Sequence, residues 1–185
     1  MPMSQPKLTP TEVGTVLGMS LLEGRDIESL HETEASLIAG AAIPRSEYVI
    51  ERFVLSACAA AHAAGSYLNP GDRKLAAAGF MEWFHRSAEQ SAALNAALQL
   101  FVNRLPIYSA ASNQDQLQGP HDPNELKFSQ LSLAFGDALV GKARPGADAE
   151  GQCRVLASAI ADSYWSAQME GSVALFVRAG VKGDA

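Results

Sequence analysis

The sequence predicts an all-α fold: a single domain of six to seven helices bundled around a central alanine-rich helix at residues 44–68. Three observations carry this expectation. Apolar residues recur at spacings of three and four in segment after segment, and no stretch alternates over the length of a strand. Val, Ile and Thr, the residues that favour strands, are scarce beside Ala. The periodic segments are bracketed by helix start and stop chemistry: Thr, Asp or Pro at the beginning, Gly or Asn-Pro-Gly at the end.

Residues 1–8 read as a flexible N-terminal tail. Thr9-Pro10-Thr11-Glu12 then gives a cap, a proline at the first helical position and a Glu three after the cap. Val13, Val16, Leu17 and Leu21 form the apolar stripe of this first helix. Gly14 and Gly18, four apart, permit a close approach to a neighbour, and Gly24 ends the helix. Asp26 starts a second helix that runs to about Gly40. Its inner residues are Ile27, Leu30, Leu37, Ile38 and Ala41, and Glu28, Glu32 and Glu34 mark a solvated side. Pro44 opens the central helix. From Phe53 to Leu68 that helix carries no Asp, Glu, Lys or Arg. A helix apolar on every side belongs inside a bundle.

Asn69-Pro70-Gly71 closes the central helix, and Asp72 caps the next. Residues 73–104 read as one helix, or as two with a kink at Ser87. Ala76, Ala77, Phe80, Met81 and Phe84 face inward, with Arg73, Glu82, Arg86 and Glu89 outside. Leu94, Ala97, Leu98, Phe101 and Leu105 extend the stripe until Pro106 stops it. Residues 106–121, polar and without period, read as a loop. Asp122-Pro123-Asn124-Glu125 starts a helix that carries Phe128, Leu131, Phe135 and Leu139 to Gly141, and a linker follows. The last helix runs from about residue 147 to 179, with Gly180 as its stop and 181–185 as a tail. It bears two apolar strips: Cys153, Leu156, Ile160, Tyr164, Ala167 and Leu175, and Ala161, Trp165, Met169, Ser172, Val173 and Phe176. Two strips imply burial on both sides, which leads us to expect a homodimer with this helix at the contact.

Composition narrows the functions. With 48% hydrophobic and 18% charged residues, the chain has the make-up of a globular protein. The net charge of −6, with no run of Lys or Arg, argues against nucleic-acid binding. No segment has the apolar length of a membrane span, and the N-terminus lacks the pattern of a signal peptide. Two cysteines, Cys58 and Cys153, both in apparent helices, suggest no disulfide framework and fit a reducing cytoplasm.

Two patterns hint at chemistry. Glu28-Ser-Leu-His31 and Glu82-Trp-Phe-His85 are both Glu-x-x-His units. At helical spacing each offers a carboxylate and an imidazole on one side. With Glu12 and Glu51 they would complete the ligand set of a di-iron or di-manganese bundle and make the chain a metal-dependent oxidoreductase. Against this, Glu82, His85, Arg86 and Glu89 share the face opposite Phe80 and Phe84, where a solvated surface is expected. The second pattern is Cys58-Ala-Ala-Ala-His62, one turn apart, in which an imidazole would activate a thiol. It resembles the Cys-x-x-Cys-x-x-x-His segment of the all-helical carboxymuconolactone decarboxylase-like proteins over about eight residues. The thiol-redox activity that the resemblance implies needs a first cysteine where this chain has Leu55. A buried structural Cys and a core His are the simpler reading.

The expectation that weighs these together is a non-catalytic helical module without a cofactor, binding a protein partner or a small apolar ligand. Trp165, Met169 and Phe176 on the last helix are its contact residues. The metal-dependent oxidoreductase (Glu28, His31, Glu51, Glu82, His85, with iron or manganese) and the thiol protein (Cys58, His62) are the alternatives.

Overall fold

A computed structural model describes residues 7–22, 30, 32–118, 128–144 and 148–181. Among these, seven helices form and no strand does: α1 (Pro10–Ser20), α2 (Glu32–Gly40), α3 (Arg45–Tyr67), α4 (Pro70–Gln90), α5 (Ala92–Gln118), α6 (Gln130–Val140) and α7 (Ala149–Ala179). No helix among the described residues is long and apolar enough to cross a membrane.

The central helix is where the sequence puts it. Thirteen residues of α3, from Tyr48 to Ala64, are buried, and it packs against α2, α4, α5, α6 and α7. Its alanines let these neighbours come close, and larger side chains from around it fill the remaining space. Phe53 meets Phe84 edge-on at 5.8 Å between ring centres, and Phe84 in turn meets Phe101 of α5 at 5.6 Å and Phe80 at 6.0 Å. Aromatic pairs of this geometry add roughly 0.5–1.5 kcal/mol each beyond the area they bury.

α1 lies against α4 through glycine. A Cβ on Gly14 would stand 1.9 Å from the Ala76 carbonyl oxygen, and one on Gly79 would stand 2.0 Å from that of Thr11. The backbones therefore touch, and Thr15 adds a hydroxyl bond of 3.4 Å to the Gly79 carbonyl. The Thr9 cap and its reciprocal bond with Glu12 form as the sequence implies.

Several expected boundaries move. The start expected at Asp26 and the end at Gly24 lie outside the described residues, as does the Asp122-Pro123 start signal. α2 ends at Gly40 as expected, but the left-handed residue that follows is not a glycine. Ala42 takes the left-handed conformation (φ 52°), and the Ile43 amide reaches back to the Ile38 carbonyl at 3.2 Å. α4 starts one turn earlier than Asp72: Asn69 is the cap, Pro70 opens the helix, and Asn69 accepts from the Asp72 amide at 2.9 Å. The break in 73–104 falls at Ser91, which is extended (φ −145°, ψ 122°) and caps α5 through the Leu94 amide, rather than at Ser87.

The largest correction concerns residues 106–121. Pro106 does not stop α5, which continues as helix to Gln118. A proline removes the amide that would bond the carbonyl four residues back and strains the turn, at about 3 kcal/mol. Here Val102 and Pro106 both lie on the exposed face, where an unpaired carbonyl costs least. On the opposite face the added turns bury Tyr108, Ala111 and Ser112, and Asp115 receives two amides of α6. Those contacts outweigh the interruption.

α7 packs on α6, α3, α2 and α1. Cys153, Leu156, Ile160 and, from the second strip, Ala161, Trp165, Ser172 and Phe176 are all buried within the chain itself. Gly180 ends the helix in the left-handed conformation (φ 70°), with the Val181 amide on the Phe176 carbonyl at 3.1 Å. The two-sided burial that suggested a second copy is met largely by the chain's own helices.

Candidate functional site

Charged residues enter the core at two adjacent positions of α3, Glu51 and Arg52. Glu51 is fully buried. Its carboxylate accepts from Arg104 Nε at 2.7 Å and from the Tyr108 hydroxyl at 2.7 Å, both on α5. Arg104 and Tyr108 are four apart and so share one face. Glu34 of α2, expected on a solvated side, is also buried. It accepts from the Tyr48 hydroxyl at 2.6 Å, from Arg52 Nη1 at 3.3 Å and from the Tyr164 hydroxyl of α7 at 3.1 Å. Arg52 lies over the rings of Tyr48 and Tyr164, at 5.9 and 5.6 Å from their centres. A buried charge is tolerable only when paired and fully hydrogen-bonded, and both carboxylates meet that condition. Burial, aided by Glu34, pushes the Tyr48 phenol far above its ordinary range. Burial and the Glu51 charge do the same for Tyr108. Both phenols therefore stay protonated and can donate.

Of the residues expected to hold a metal, those that are described do not come together. Glu82 and His85 are exposed on the outer face of α4, and Glu82 pairs with Arg86 there. Glu51 is engaged by Arg104 and Tyr108, while Glu12 bonds Thr9 at the start of α1. Glu28 and His31 lie outside the described residues. Among the described residues no three His, Cys, Asp or Glu side chains gather closely enough to hold an ion.

Cys58 is buried. Burial drives its thiol pKa sharply upward and the Glu51 charge adds to this, with Arg104 opposing. The thiolate that nucleophilic chemistry requires is thereby disfavoured. His62, half-buried on the same helix, packs against the Trp165 ring at 5.4 Å, and burial lowers its pKa.

An open cleft of about 480 Å³ lies where α5 ends, α6 begins and α7 passes its midpoint. Ser112, Asp115 and Gln116 of α5, Ser129 and Leu131 at the start of α6, and Asp162, Trp165, Ser166, Met169 and Glu170 of α7 line it. The volume falls within the roughly 300–1,000 Å³ usual for small-molecule sites. Local chemistry fixes its walls. Asp115 accepts the Gln130 and Leu131 amides at 2.7 and 3.0 Å. Ser129 caps the third amide, from Ser132, at 2.9 Å, and its hydroxyl donates to Asp162 at 2.8 Å. The start of α6 is thus saturated and offers nothing to an anion. Of the three residues expected at a ligand contact, Trp165 and Met169 line this cleft. Phe176 is buried about two turns beyond Met169, stacked on Tyr67 at 5.7 Å.

A second groove, of about 470 Å³ between α5 and α6, has Leu100, Arg104, Ile107, Asp137 and Lys142 on its walls. Each of its charges is already paired: Arg104 with Glu51, Lys142 with Glu47 at 2.8 Å, and Asp137 with Arg154 at 3.5 Å.

Sequence reasoning misses Ser112 and Asp115 because it reads residues 106–121 as a loop, which has no helical face; Asp162, on the last helix, belongs to neither of the apolar strips it reads there. It also missed the partners of Glu34 and Glu51. The four-residue spacings Tyr48–Arg52 and Arg104–Tyr108 were the available signal. No family model, no curated protein and no solved structure matches this chain.

Proposed function

We propose that this chain is a non-catalytic helical module that binds a small, largely apolar ligand in the cleft between α5, α6 and α7. The observation that carries the reading is the cleft itself. It is open, of ligand size, and floored by the Trp165 ring, Leu131 and Met169, with polar groups around them. Sites of this kind combine apolar walls with a few placed polar groups. We read the two buried carboxylate networks as serving the fold, since no buried side-chain N or O atom in them lacks a hydrogen-bond partner.

A neutral apolar dye, Nile red, tests this. Its fluorescence should rise and saturate at one dye per chain. Ser166 is exposed at the cleft wall, so Ser166→Trp should block entry and abolish the signal without changing the helical circular dichroism. Dye binding that does not saturate, or that survives Ser166→Trp, would overturn the proposal.

A further inference from the structure

The outer face of α5 carries no charge. Between Ala92 and Gln114 ten residues are exposed, and none is Asp, Glu, Lys or Arg. Arg104, the one charged residue in this stretch, turns inward to Glu51. A surface usually carries roughly a quarter to a third of charged residues. Every other helix here exposes at least one: Glu12, Glu32, Arg45, Arg86, Asp137 and Asp162, on α1, α2, α3, α4, α6 and α7 in turn.

What α5 exposes instead is apolar surface and amides. Val102 is 63% exposed and Ile107 48%, with Pro106 and Ala110 beside them. The polar side chains on the face, Asn95, Gln99, Asn103, Asn113 and Gln114, are all primary amides, each at once a donor and an acceptor. Gln99, Asn103, Pro106, Ala110 and Asn113 follow one another at steps of four and three. They therefore run down the helix as one seam, with the spacing that helices use to pack side by side. Pro106 has no amide to give the Val102 carbonyl, which puts an acceptor on the same face. Ser112, Asp115 and Gln116, which line the cleft, project from the other side of the helix. The nine residues 119–127 that join Gln118 to Phe128 are too few to run back to Val102, about 24 Å down the helix, and return.

We infer that a second copy of this chain docks on this face, α5 against α5 in antiparallel. Charge selects the occupant. Each chain carries a net charge of −6, so two copies repel where their charged surfaces meet. Among the described helices, the α5 face alone brings two copies together without opposing like charges. A strongly acidic or basic partner would lose the hydration of its own charges there and find no opposite charge in return. Amides complement amides, so the face is its own match across a twofold axis. An axis near Pro106 sets Asn103 opposite Ala110 of the second copy and Gln99 opposite Gln114. The small Ala110 side chain leaves room for the longer ones, and the two helix dipoles oppose each other. The contact lies on α5 rather than on the last helix, where the sequence leads one to expect it, and it leaves the cleft open.

Analytical ultracentrifugation of the full chain over a concentration series tests this. The mass should double between the lowest and the highest concentration. Asn103→Glu combined with Ala110→Glu, both at exposed helical positions, sets like charges across the axis and should weaken the dimer about tenfold or more. Helical circular dichroism should not change. Asn103→Lys combined with Ala110→Lys should weaken it likewise, and an equimolar mixture of the two double variants should assemble again, as variants that had merely lost their fold would not. A mass that stays at one chain throughout, a dimer that survives the two Glu substitutions, or double variants that fail to assemble on mixing overturns the inference. Nile red binding in the cleft should be the same in every variant, so the ligand-binding reading stands or falls separately.

Discussion

The Glu51 centre and the α5–α6–α7 cleft lie against the same helix, α5, and treat polar groups in opposite ways. At Glu51 a fully buried carboxylate, the Arg104 guanidinium and the Tyr108 hydroxyl satisfy one another at 2.7 Å. One turn further along, Ser112, Asp115 and Gln116 line the open cleft. The first arrangement joins α3 to α5 and is complete without anything from outside. The second faces an open cleft. A closed polar network contributes to one particular packing of the core, whereas a wall that faces solvent can meet water or a bound molecule. The contrast is why the proposed ligand site is placed at the end of α5 that the sequence presents as a loop.

Substitutions should separate the two regions. The strongest effect belongs to Glu51→Ala, which strands the Arg104 charge and the Tyr108 hydroxyl in the core. Removing one member of a buried pair costs roughly 3–5 kcal/mol, so urea denaturation should show a large loss of stability, and Tyr108→Phe a loss of about 1 kcal/mol. Ligand affinity measured on the folded protein should change in neither variant. Asp115→Ala should be intermediate and should register in both assays, because Asp115 caps α6 and walls the cleft. Loss of such a cap costs about 0.5–2 kcal/mol, and Nile red titration should show weaker binding alongside a lower denaturation midpoint.

The smallest effect is a dependence on pH. Burial holds the His62 pKa below its value in the unfolded chain, about 6.5. The unfolded state therefore binds the extra proton first as the pH falls, and stability decreases below about pH 6.5, until the folded imidazole is also protonated. Thermal denaturation between pH 7.5 and 5 should show a shallow loss, reduced in His62→Gln. Since His62 rests on the Trp165 ring, the same titration should perturb tryptophan emission.

The fold was largely legible because its cause is local. The 3.6-residue period, the Thr9 and Gly180 ends and the uncharged run after Phe53 each act over a few residues. The glycine approach of α1 to α4 was visible too, in Gly14 and Gly18. What escaped depends on distant partners. Glu34 looked solvated by its neighbours Glu28 and Glu32, but its burial rests on Tyr164, 130 residues away. Glu51 depends on Arg104, 53 residues away. Pro106 was misjudged for the same reason. The local rule against an interior proline is sound, and contacts of Tyr108 and Asp115 with other helices override it. The cleft inherited that error, since its whole α5 wall, Ser112, Asp115 and Gln116, is the helix that the rule denied.

Paired thermal denaturation and Nile red titration of Ser166→Trp bring these points to one comparison. Ser166 is exposed at the cleft wall, so the melting temperature should hardly change while saturable dye binding is lost. Dye binding that survives the substitution would contradict a ligand site between α5, α6 and α7.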